Sequence, residues 1–234
     1  MKKIITLSAL LLLATHLVAQ EPLLTSEQMP NAVFFLPPPP AEQSDAFAYD
    51  KSQYAWGKQQ RADSARSAMA VTDAVWTLET ICNVFSDAFG RTISQDSTPA
   101  LFRLLHAAIW TADQAGTLPK DHYRRTRPYV YYDEPSLVPG DEDDLRNNGS
   151  YPSGHTIRGW TAALLLTEIN PLRANDILAR GYAFGQSRVI AGYHWQSDVD
   201  AGRLVASAAV ARLHADQRFR DLIDQARQEF QQSR

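Results

Sequence analysis

Residues 152–171, PSGHTIRGWTAALLLTEINP, decide the fold. Ser153 is a favoured helix cap, the chain behind it is strongly apolar to Ile169, and Asn170-Pro171 stops the helix. Helical spacing recurs on both sides of this segment. Downstream it predicts helices over 173–189, over 198 to about 215 with Ser197 as cap, and over 217–231. Upstream it predicts helices over 46–61 and 65–89, the second with Val71, Val75, Leu78, Ile81 and Phe85 at three- and four-residue intervals. Ser97-Thr98-Pro99 places a cap and then a first-turn proline, opening a helix through Ala115. Leu118-Pro119-Lys120 begins a short helical turn that ends before Pro128. Residues 129–150 read as a polar loop with Pro135, Pro139, Gly140 and Gly149, and only Tyr129 to Tyr132 resembles a strand. There is no internal repeat. The pattern is that of an all-α, single-domain helical bundle over 44–234.

Two segments precede it. In residues 1–19, Lys2 and Lys3 lead an apolar run centred on Leu10 to Leu13, and the small Ala19 offers a cleavage point. This is the pattern of a signal peptide, too short to be a permanent membrane span. Gln20 and Glu21 follow it, where a lipoprotein would need cysteine. The expected location is therefore periplasmic or secreted. Residues 20–43 are an irregular Pro-rich lead-in, in which Pro37 to Pro40 must be extended polyproline II. That run is expected to act as a strap over the helical body, with binding to another protein's groove as the alternative.

The formal charge of −3 falls by two once Lys2 and Lys3 are removed. A mildly acidic chain without a basic run suits neither nucleic acid nor anionic membranes, so its cations must act locally. Cys82 is the only cysteine, which excludes an internal disulfide; its apolar neighbours Ile81, Val84 and Phe85 suggest a buried, inert thiol. With no disulfide and no evident metal cluster, stability has to come from one packed core, which this length permits.

Three blocks carry the chemistry: residues 120–128 (KDHYRRTRP), 152–155 (PSGH) and 187–198 (SRVIAGYHWQSD). Asp198, four residues after His194, can accept from one ring nitrogen and leave the other unprotonated as a nucleophile. Arg188 can fork onto two oxygens of an oxyanion, although a helix-terminal arginine often only complements the dipole. Lys120 and Arg127 lie in a basic stretch with Arg124 and Arg125 and gain meaning only beside the other blocks. The helix opened by Ser153 presents free amides to an anion, with Gly154 allowing close approach and the Ser153 hydroxyl able to donate. His155, in the first turn, is placed to protonate a leaving oxygen. A plain cap accounts for Ser153 but not for His155. Together these groups suit the holding of a tetrahedral oxyanion and attack on its central atom.

The pattern Lys-x6-Arg-Pro, Pro-Ser-Gly-His, Ser-Arg-x5-His-x3-Asp resembles the PAP2 phosphatase and vanadium haloperoxidase superfamily. The signal-like start, the Leu36 to Pro40 strap and the flanks Lys120-Asp121-His122-Tyr123 and Gly149-Ser150-Tyr151 make the chain similar to the class A bacterial non-specific acid phosphatases over nearly all its mature length. The resemblance implies a phosphate pocket of Lys120, Arg127, Ser153, Gly154, His155, Arg188 and His194, with His194 as nucleophile, Asp198 orienting it and His155 as general acid. It implies metal-independent hydrolysis of phosphomonoesters through a phosphohistidine, no cofactor, phosphotransfer as a side activity, and self-association. The blocks grip only the phosphoryl group, so nucleotides, sugar phosphates and aryl phosphates are all admitted. Two other readings remain open at this point, a vanadate-dependent haloperoxidase and a non-catalytic exported phosphate-binding protein.

The remaining candidates are weaker. Asp141 to Asp144 lack the spacing and glycine of a calcium loop. His106 sits on an apolar helix, His122 is a candidate for the pocket mouth, His214 closes a helix, and His16 leaves with the signal. No P-loop, Gly-x-Ser-x-Gly elbow or metal-type histidine cluster occurs.

Overall fold

The computed structural model describes residues 22–232, so the expected signal peptide over 1–19 lies outside the described residues. Twelve α-helices follow one another among these: α1 Ala32–Phe35, α2 Asp45–Gln60, α3 Ser64–Ala74, α4 Leu78–Phe89, α5 Pro99–Asp113, α6 Thr117–Tyr123, α7 Pro128–Tyr131, α8 Glu142–Arg146, α9 Gly154–Ile169, α10 Ala174–Ala191, α11 Gln196–Leu213 and α12 Gln217–Gln232. No strand occurs among the described residues, in agreement with the all-α reading.

Helix α9 is the axis of the molecule. It is apolar on nearly every side, as a helix enclosed by others must be, and it buries Ile157, Ala162, Ala163, Leu165, Leu166 and Ile169. Helices α5, α10 and α11 pack directly on it. The approach is close because small residues line it: a Cβ on Gly202 of α11 would come within 2.8 Å of the Ser153 carbonyl oxygen. Helix α12 shows the opposite pattern, with one apolar face: it buries Phe219, Ile223, Ala226 and Phe230 against the core beside α5, with Leu222 partly buried alongside. No helix of the described residues is long and apolar enough to cross a membrane.

Several local expectations are corrected. The single helix expected over 65–89 is two, because Val75 turns extended (ψ 117°) and Thr77 caps α4 by accepting from the Thr80 N–H at 3.2 Å. Val75 and Trp76, read as part of a helix, are about half exposed. A β-branched residue, an indole and a capping hydroxyl in succession favour this break over continuation. Ser197 does not cap α11. The cap position is Trp195, and the Asp198 carboxylate reaches back to its N–H at 2.8 Å, the reciprocal arm of a capping box. Tyr129 to Tyr131 form a helical turn led by Pro128 instead of a strand, and α8 interrupts the expected loop.

The lead-in contains a 3-10 turn, Ser26–Gln28, and α1, where the sequence suggested only irregular chain. Leu23, Leu24, Met29, Ala32 and Leu36 join the main core, and the Pro37 carbonyl accepts from the Tyr151 hydroxyl at 2.9 Å. Cys82 is buried, and burial pushes its thiol up to about 12.

Candidate active site

The N-terminus of α9, the turn joining α10 to α11, and the α6–α7 segment converge on a cavity of about 760 Å³. Lys120, Arg127, Gly154, His155, Arg188 and His194 all line it. Ser153 and Asp198 are fully buried behind that wall.

The turn after α10 explains why Arg188 and His194 share one space. Gly192 adopts φ +85°, which only glycine takes without strain, and the N–H groups of Tyr193 and His194 return to the Arg188 carbonyl at 3.1 and 3.3 Å. The six-residue spacing thus closes into one loop.

His194 is 2% exposed, and its tautomer follows from its partners. Nε2 lies 3.1 Å from Nη1 of Arg127, and Nδ1 lies 3.3 Å from Oδ2 of Asp198. A guanidinium only donates and a carboxylate only accepts, so Nδ1 carries the proton and Nε2 holds the free pair. Burial, then Arg127, Lys120 and Arg188, hold this imidazole well below its usual range, which keeps it neutral.

The three expected cations surround that nitrogen. Arg127 is fixed by its Nε to the carbonyls of Leu145 and Asn148 (3.0 and 3.1 Å) and by Nη1 to the Tyr193 carbonyl at 3.2 Å. Lys120, half-buried at the cavity edge, donates to the Gly149 carbonyl at 2.8 Å; burial and then the neighbouring Arg127 bring its ammonium down to about 7. Arg188 is fully buried over the Tyr193 ring (4.4 Å), and none of its three nitrogens has a hydrogen-bond partner among the described residues. Burial lowers it to about 10, so it remains a cation. A buried, unpaired guanidinium is costly until an anion meets it.

Ser153 acts as a cap, accepting from the Thr156 N–H at 3.3 Å and the Thr156 hydroxyl at 3.0 Å. His155 places Nε2 3.0 Å from the Ala74 carbonyl, the last of α3. A carbonyl cannot donate, so Nε2 carries a proton and Nδ1 is the nitrogen free to exchange one. Burial and then Arg188 hold His155 well below its ordinary range.

Five neighbours escaped the sequence reading as site residues. Arg158 pairs with Asp113 at 2.6 Å and lies over the Trp76 and Trp110 rings (4.5 and 4.6 Å); Trp76, Asp113 and Arg158 all line the cavity. Arg125, read only as part of a basic stretch, links Asp198 to Asp50. Asp50 did have a signal. It falls between Phe47 and Tyr54 on the inner face of α2, where a carboxylate requires a buried partner. Conversely, His122 is exposed and does not line the cavity, while Asp141 and Asp144 do; the described residues contain no group of three or more metal-type ligands.

The PAP2 superfamily model matches residues 100–221. The chain is 44% identical over 208 residues to a non-specific acid phosphatase of Providencia stuartii, covering 88% of this chain and 84% of that one. It is 41% identical over 211 residues to a non-specific acid phosphatase of Salmonella typhimurium, covering 90% and 84%. An acid phosphatase of Zymomonas mobilis is 36% identical over 222 residues, covering 94% and 83%.

Proposed function

Because the chain belongs to the PAP2 superfamily, we propose that it is an acid phosphatase that hydrolyses phosphomonoesters in two displacements through a phosphohistidine. In the first, the Nε2 pair of His194 attacks phosphorus, and the ester P–O bond breaks as Nδ1 of His155 gives its proton to the departing alcohol oxygen. In the second, water attacks phosphorus, one of its protons passes to His155, and the P–N bond returns its pair to Nε2. An alcohol in place of water gives phosphotransfer. Lys120, Arg127, Arg188 and the first amides of α9 hold the phosphoryl oxygens, which is where catalysis of this reaction chiefly resides. Asp198 accepts the hydrogen bond from Nδ1–H and balances the positive charge that the ring gains.

Nε2 of His194 carries this conclusion: it is the free pair of a neutral imidazole set beside cations, one of which lacks any acceptor. Arrival of a phosphate ester supplies the missing anion. The same anion offsets the Arg188 field that suppresses His155, so the general acid becomes protonated when substrate binds.

Side-chain cations fill the role that metal ions take in other phosphoryl-transfer sites, so turnover of p-nitrophenyl phosphate is expected to persist in EDTA. Rapid alkaline quench, in which the P–N bond survives, should trap label on His194. Robust activity of His194→Ala would remove the covalent step. We further propose export, from the signal pattern at residues 1–19, and self-association, from the family resemblance.

A further inference from the structure

We propose that Asp50, Arg125 and Asp198, with Ser197, form a buried charge network whose single net negative charge orients His194 and sets its nucleophilicity. The inference rests on the phosphohistidine reading above and concerns residues outside the cavity wall.

Arg125 reaches inward from the segment after α6. Its Nη1 lies 2.6 Å from Oδ1 of Asp198 and 2.7 Å from Oγ of Ser197, and its Nη2 lies 2.7 Å from Oδ2 of Asp50. Asp50 accepts from the Ser197 N–H at 2.8 Å and from the Ser197 hydroxyl at 2.6 Å. Both carboxylates are fully buried, and the guanidinium is walled by the Trp195 and Phe47 rings at 5.5 and 5.8 Å. Water therefore does little screening here.

Geometry and charge both reach His194 through Asp198. Arg125 fixes Oδ1, leaving Oδ2 for the Trp195 N–H and for Nδ1 of His194. A lone arginine on Asp198 would cancel the charge the imidazole needs. Asp50 restores it, since two carboxylates and one guanidinium leave one negative charge. The opposing groups facing His194 are Lys120 from α6, Arg127 before α7, Arg188 from α10 and His155 from α9. Asp113, Asp141 and Asp144 also line the cavity, but among the described residues the network is the acidic group hydrogen-bonded to the ring, so it can balance the cationic ring formed on phosphorylation. Neither Asp50 nor Arg125 lines the cavity, so they are positioning residues.

The test compares Asp50→Asn, Arg125→Lys and the double variant Asp50→Asn/Arg125→Gln. Asp50→Asn keeps the shape and one of the two acceptor oxygens but loses the charge. The expected results are a single-turnover phosphorylation rate and kcat lower by about tenfold, and a His194 imidazole titration by NMR about one pH unit lower. Inhibition by inorganic phosphate should change less than twofold, on the order of experimental scatter, because no substrate contact is lost. Arg125→Lys keeps the charge but loses the fork, so kcat should fall while the His194 titration stays in place. The double variant again has one net negative charge and should move the titration back toward the wild type. A purely structural role predicts the reverse, with the double variant the worst of the three and the titration unmoved in Asp50→Asn; that result would overturn the inference. The wild-type titration needs no turnover, so failure to trap a phosphoenzyme would count against the covalent reading alone.

Discussion

At the scale of the residue, the site is a compromise between stability and charge. Among the described residues Arg188 has no acceptor for any of its nitrogens, so Arg188→Met should stabilise the phosphate-free protein by about 1–4 kcal/mol, raising its melting temperature, while lowering kcat/KM by orders of magnitude. Thermal melts with and without phosphate check both halves. His155→Ala should lower kcat/KM for alkyl phosphates by roughly 10²–10⁴-fold and for p-nitrophenyl phosphate much less, because this ratio reports the first displacement and a good leaving group has little use there for a proton donor. Lys120, held near 7, is charged below that pH and neutral above it. Phosphate inhibition should therefore weaken as pH rises through neutrality, with proton uptake per phosphate bound larger on the alkaline side as Lys120 regains its charge; pH-dependent calorimetry reads this. The cations and histidines proposed to hold phosphate were legible in sequence because an oxyanion would dictate their type and spacing. Asp50 and Arg158 were not, since pairing across folded helices leaves no fixed spacing in the chain.

Elements decide whether those side chains point inward together. The break between α3 and α4 looks like a detail, yet it exposes the Ala74 carbonyl that fixes the His155 tautomer. Asp73, the residue before it, is held by Arg180 and by the Ser187 hydroxyl at 2.6 Å, so the α3 terminus is tied to α10. Periodicity alone ran straight through this point, because Val75 continues the apolar spacing and only its backbone shows the interruption. Helix α9 was the opposite case, with cap, apolar run and stop all in view. Its N-terminus leans on α11, where Gly202 leaves room for the Ser153 carbonyl. Gly202→Ala should cost about 1–3 kcal/mol and lower kcat by displacing the α9 amides; denaturant unfolding with parallel kinetics would show a steric fault acting at a distance.

For the molecule as a whole, the all-α class and the helical body were readable because nearly every segment repeats the same spacing. The packing of the lead-in was less so: its few apolar residues, Leu23, Leu24, Met29, Ala32 and Leu36, carry no periodic pattern and find the core only through tertiary contact. The nucleophile's supports draw on chain far apart, with the Ser197 amide bonded to Asp50 across 147 residues. Refolding from denaturant should thus recover helical circular dichroism before turnover, and turnover together with the burial of Trp195, seen as intrinsic fluorescence. Turnover that returned along with the helices would contradict this order.

That long-range bond also makes the enzyme its own inspector. Any chain still threading, truncated or mispaired has helices but no assembled nucleophile, and so it cannot strip phosphate from the molecules around it. Latency needs no inhibitor or pro-segment here; it is a property of topology, switched off by the last contacts to close.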